Sequence, residues 1–136
     1  VPLMLQSFDD YSEFLRERES LGWSGSKDEE INQFGTSQTT LGAVLAQKWA
    51  LPKVMIEVIY FQNDVDGLYT SDELSDVGLS LLTILKLARN VVDYKNSNSP
   101  ETPDWAAVES QIMNYLNTDE DEIDAIRDEL VESFED

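Results

Sequence analysis

Apolar positions recur along this chain at helical spacing, and no stretch alternates in the manner of a strand. Phe8, Tyr11, Phe14 and Leu15 share one face of a helix that Ser7 or Asp9 would cap and that runs to about Glu19. Leu21 to Lys27, rich in glycine and serine, reads as a loop. Asp28 to Phe34 makes a short helix with Ile31 and Phe34 on one side, ended by Gly35. Thr36 or Ser37 opens the next helix, where Leu41, Val44, Leu45, Lys48 and Trp49 follow helical spacing. Gly42, Ala43 and Ala46 give that helix a face a neighbour can approach closely, and Trp49 is expected in the core. Leu51-Pro52 breaks the chain, with Pro52 at the first position of a helix carrying Val54, Met55, Val58, Ile59 and Phe61. Asn63 to Gly67 is a turn.

The longest helix is predicted from Ser71 or Asp72 to about Tyr94. Leu74, Val77, Leu81, Ile84, Leu85, Ala88, Val91 and Val92 form its expected core stripe. Leu79, Leu82 and Leu87 widen that stripe, which points to a central position. Lys95 to Pro103 reads as a polar linker. Asp104 would cap a helix bearing Trp105, Val108, Ile112, Tyr115 and Leu116. Asn117 or Thr118 would cap the last helix, whose Ile123, Ile126, Leu130 and Phe134 form an inward stripe. The expected fold is therefore all-α, a bundle of about six to seven helices, with residues 1–136 as a single domain.

Charge changes the picture most. Nine basic residues stand against 28 acidic ones, a net charge of −19. Such a surface repels nucleic-acid phosphates and anionic lipid head groups, so no nucleic acid and no membrane is expected as a partner. It favours basic proteins, or it acts only to keep the chain soluble. The chain has no histidine and no cysteine. Imidazole and thiolate catalysis are thereby excluded, as are His- and Cys-ligated metal sites. Asp64-Val65-Asp66-Gly67 looks superficially like a calcium loop, but Tyr69 and Ser75 stand where an EF-hand needs its Gly and Glu. Asp119 to Glu122 is dense acid at a helix start, favourable to the helix dipole. No phosphate-binding glycine loop and no nucleophile elbow occurs. No catalytic residue, metal or cofactor is expected, and the chain reads as a non-enzyme.

One stretch is more specific. Glu30, Phe34-Gly35, Gly42-Ala43, Trp49 and Leu51-Pro52 resemble the HDOD domain, a relative of the HD phosphohydrolases. That resemblance implies an HD-like helical fold, of which this chain would hold the later part, with earlier helices upstream of Val1. It also implies a signalling or regulatory domain that presents helical surfaces to proteins in a bacterial cytoplasm. Gln38 stands where the family commonly has histidine, and Phe61-Gln62-Asn63 where it has a histidine run. The resemblance thus makes Gln38, Gln62 and Asn63 candidates for lining a vestigial pocket. Phe34, Gly35, Gly42, Ala43, Trp49, Leu51 and Pro52 carry scaffold roles.

Two alternatives remain. One is a residual metal-dependent phosphohydrolase completed by an upstream segment. The other is an acidic mimic binding a basic protein surface. Self-association into a homo-oligomer is a further expectation, because half of a helical domain would leave apolar faces uncovered.

Overall fold

In the computed structural model, residues 1–18, 22–99 and 101–135 are described, and among them the chain forms eight α-helices and no strand. They are α1 (Pro2–Ser7), α2 (Tyr11–Glu17), α3 (Gly22–Phe34), α4 (Gln38–Lys48), α5 (Lys53–Phe61), α6 (Asp76–Ser97), α7 (Pro103–Leu116) and α8 (Glu120–Glu135). The class is all-α, as the apolar spacing predicts. α4 and α5 pack as a hairpin, α5 lies along α6, and α6 carries α8. α3 meets α7, and α1 packs on α4.

The first predicted helix is α2, which starts after Asp10 rather than after Ser7 or Asp9. The short α1 before it is not predicted by the spacing, and the chain breaks between the two at Phe8, whose backbone is extended. The break lets Met4 from α1 and Tyr11 and Phe14 from α2 meet in one buried cluster with Phe34 and Leu41. The predicted face of Phe8, Tyr11, Phe14 and Leu15 does turn to this cluster. Glu19 lies outside the described residues, as does Leu21. Of the loop expected over Leu21–Lys27, residues 22–27 are instead the first turns of α3. There Ser26 Oγ donates to Gly22 O at 2.9 Å, and docking of α3 on α7 outweighs the poor helix propensity of glycine and serine. Gly22 takes φ +71, which favours glycine, and a Cβ there would also crowd the Asp104 carboxylate at 3.0 Å.

Side-chain caps fix the helix starts. Ser37 accepts from Thr40 N at 3.2 Å, as expected. For α6 the cap is Ser75, accepting from Gly78 N at 3.1 Å, one turn later than the predicted Ser71 or Asp72. Thr102, not Asp104, caps α7 at 3.2 Å. Asp119, not Asn117 or Thr118, caps α8 at 2.9 Å. Asn117 is instead the left-handed residue that ends α7. Pro52 is the N-cap of α5, one position before the predicted one. The 95–103 linker is shorter than expected, because α6 continues to Ser97; Pro100 lies outside the described residues.

The two largest departures concern which faces are covered. Trp49 is 68% exposed, not core. It is the C-cap of α4, and the turn after it closes with Ala50 N donating to Gln47 O and Leu51 N donating to Ala46 O, both at 3.0 Å. That turn places Ala50 at φ +54 and swings the indole outward. On α6, the expected core stripe is split. Val91 is buried, but Val77, Leu81, Ile84, Ala88 and Val92 face outward, with Val77 at 62% and Ile84 at 61% exposure. The inward face holds Leu82 together with Thr83, Lys86 and Asn90. Their polar groups are met by other elements: Thr83 bonds the Tyr69 hydroxyl at 2.6 Å, and Asn90 Oδ1 accepts from Arg127 Nε at 2.9 Å. Of the α8 stripe only Ile123 is buried, while Ile126, Leu130 and Phe134 are exposed.

Candidate functional site

A cavity of about 400 Å³ lies beside α6, between it, the start of α7 and the segment that follows α5. α6 supplies Lys86, Arg89 and Asp93 to it, and α7 supplies Asp104, Trp105 and Val108. Gln62 and Asn63 form its other wall. These are two of the three residues the family resemblance nominates, and they are neighbours in sequence. Gln38 is not among the lining residues. Its backbone N–H donates to Glu30 Oε1 at 2.8 Å, and its side chain accepts from the Val1 amino group at 3.4 Å.

Glu30 is itself buried and receives the Tyr11 hydroxyl as well. It ties α2, α3 and the start of α4 together, a scaffold role. Phe34 joins the ring cluster of Phe8, Tyr11 and Phe14, with centroids 5.0 to 5.4 Å away. Gly35 takes φ +76, which favours glycine. Gly42 allows a close approach of α5 to α4, since a Cβ there would sit 3.1 Å from Ile59. Ala43 is buried and Leu51 half-buried.

The cavity's polar wall is organised by cations. Arg89 Nη1 donates to Asn63 Oδ1 at 3.0 Å and to Gln62 O at 3.3 Å, and Nη2 donates to Gln62 Oε1 at 2.6 Å. Lys86 Nζ donates to the same Gln62 carbonyl at 3.1 Å. Both cations therefore cap the end of α5 and hold the amides in place. Lys86 is only 8% exposed. Burial pushes its ammonium down to about 8, helped by the neighbouring Arg89 and opposed by Asp104 and Asp64. Burial also lowers the Arg89 guanidinium, with Asp104 and Asp93 opposing. The Asp93 carboxyl is raised by burial and by Asp104, with Arg89 acting against both.

Composition and spacing do not point to Lys86, Arg89, Asp93 or Asp104. One signal was present: Lys86 and Arg89 are the only basic residues between Lys53 and Lys95, and both sit inside an apolar helix of an acidic chain. Among the described residues no group of three or more acidic side chains could hold a metal ion. No described helix is long and apolar enough to cross a membrane. No protein-family model, no curated protein and no solved structure matches this chain.

Proposed function

We propose that this chain is a non-catalytic, HDOD-like regulatory domain of a bacterial cytoplasm that docks a basic amphipathic helix of a partner protein on the outer face of α6. The observation that carries the reading is the uncovered stripe Val77, Leu81, Ile84, Ala88 and Val92. Its residues recur at helical intervals over roughly four turns, a length of about 22 Å, which suits ridge-into-groove packing with a second helix. An exposed apolar stripe of this extent on a folded protein is an interaction surface more often than an accident.

Charge argues for the kind of partner. A second copy would bring another −19 against the first, whereas a lysine-rich helix is attracted to it. The reading as a domain without phosphohydrolase chemistry draws support from the amides at Gln38, Gln62 and Asn63, which are poor ligands for the metals such enzymes use. It draws support also from the two cations next to Gln62 and Asn63, which would repel a metal ion there.

The test is fluorescence anisotropy with a synthetic leucine/lysine helical peptide of roughly 18 residues and a leucine/glutamate counterpart. The lysine peptide should bind, Ile84→Glu should weaken it at least about tenfold, and salt should weaken it further. Equal binding of the two peptides, or an Ile84→Glu variant that binds as well as the parent, would contradict the reading. So would a stable dimer in sedimentation equilibrium that Ile84→Glu dissociates.

A further inference from the structure

We propose that the cavity beside α6 binds a small organic monocarboxylate, its carboxylate held by Lys86 and Arg89 and its apolar body against Trp105 and Val108. This goes beyond the docking of a partner and rests on the polar side of α6, although Ala88 and Val92 of the docking stripe also border the cavity.

The cations come first. Among the described residues the ion pairs join Lys27 to Asp64 and Arg127 to Asp124, and neither Lys86 nor Arg89 takes part. Two of the chain's nine basic residues thus stand one helical turn apart, lining one cavity, with no carboxylate at ion-pairing distance. Their hydrogen-bond partners are neutral oxygens of Gln62 and Asn63. An ammonium has three donors, and Lys86 directs one to the Gln62 carbonyl. It is more than nine-tenths buried while doing so. A buried cation beside a like charge is unfavourable unless an anion or an acceptor completes it. Asp93 and Asp104 line the same cavity, yet among the described residues neither forms an ion pair with Lys86 or Arg89. Arg89 is meanwhile held rigidly by three contacts, so its remaining donors are presented in a fixed orientation.

The rest of the cavity decides the ligand's class. About 400 Å³ is within the range of small-molecule sites. Trp105, Val108, Leu85 and Val92 make much of the wall apolar, which suits an organic body rather than a bare inorganic ion. The negative charges of Asp93 and Asp104 weigh more heavily against a phosphate dianion than against a monocarboxylate that meets the Lys86 and Arg89 donors directly.

The experiment uses the intact chain, with phenylacetate as the probe and phenylacetamide and inorganic phosphate as controls, measured by isothermal titration calorimetry. Phenylacetate should bind one to one with a Kd on the order of 0.1–1 mM, and at least about tenfold tighter than either control. Lys86→Met should lose that preference for the acid over the amide. Ala88→Leu, at the exposed rim of the cavity, should weaken binding with the fold intact by circular dichroism. If Lys86→Met fails to fold, the acid–amide comparison and Ala88→Leu still decide the matter. Equal affinity for acid and amide, tighter binding of phosphate, or no saturable binding of phenylacetate up to about 10 mM would overturn the proposal.

Discussion

Replacing Lys86 by methionine should stabilise the protein, and the gain should fade at alkaline pH. Methionine matches lysine in length and removes the charge. The Gln62 carbonyl is not left without a donor, because Arg89 Nη1 still reaches it at 3.3 Å. The ammonium, ordinarily near 10.5, is pushed down to about 8. That displacement means the folded state disfavours the charged form by roughly 3 kcal/mol. Losing one hydrogen bond returns about 1 kcal/mol, leaving a net gain of about 2 kcal/mol near neutrality. The pH dependence has a definite sign. Below pH 8 the lysine is charged whether folded or unfolded, and the full penalty is present. Between 8 and 10.5 the folded protein gives up the proton first, so the wild type gains stability as pH rises. The groups facing Lys86 are Arg89 on its own helix, Asp64 after α5 and Asp104 on α7. Their interactions with the ammonium are already contained in that displacement and are lost with the charge in the variant. Urea denaturation followed by circular dichroism at pH 7 and pH 10 reads the difference. The variant should be more stable by about 2 kcal/mol at pH 7 and by less than about 1 kcal/mol at pH 10. A variant less stable than wild type at pH 7, or one with an equal gain at both pH values, would refute this reasoning.

Three further substitutions probe the scaffold. Ala50 occupies the left-handed position after α4, so Ala50→Gly should raise stability by about 0.5–1 kcal/mol in the same denaturation assay; a loss would show that the turn is not strained. Trp49→Ala should change stability by less than about 0.5 kcal/mol because the indole is in solvent, whereas Ile112→Ala, at a fully buried position, should cost about 2–5 kcal/mol. A large loss at Trp49 would mean that the indole is covered after all. Glu30→Ala strips the partner from the Tyr11 hydroxyl and the Gln38 N–H and should cost about 2–4 kcal/mol, while Glu30→Gln, which keeps an acceptor, should cost clearly less. Equal losses for the two would show that a neutral acceptor of the same shape does not suffice and would assign the effect to the carboxylate charge.

The helices were legible in the chain because apolar spacing reports a helix whatever covers it. Which side is covered was not legible. α6 carries Leu79, Leu82 and Leu87 as well as the Val77-to-Val92 stripe, so either side could have been taken for the core. The side that is buried contains Thr83, Lys86 and Asn90, whose partners Tyr69, Gln62 and Arg127 are remote in sequence. Local pattern gives no sign of them. Trp49 misled for the same reason: its spacing continues the α4 face, and only the left-handed turn at Ala50 removes it from that face. Of the cavity, Gln62 and Asn63 were visible through the family resemblance. The cations that hold them became visible only with the path of the chain from α5 into α6.

The claim at the centre of this account is that the outer face of α6 is where a partner helix docks. Methyl-labelled NMR of the valine, leucine and isoleucine side chains, titrated with the lysine-rich helical peptide, tests it directly. Docking on α6 predicts that the methyl signals of Val77, Leu81, Ile84 and Val92 shift together in a saturable way, while those of the buried Ile112 and Ile123 stay in place. Shifts confined to Val44 and the other valine, leucine and isoleucine residues of α4 and α5, or no saturable shift on α6, would contradict it.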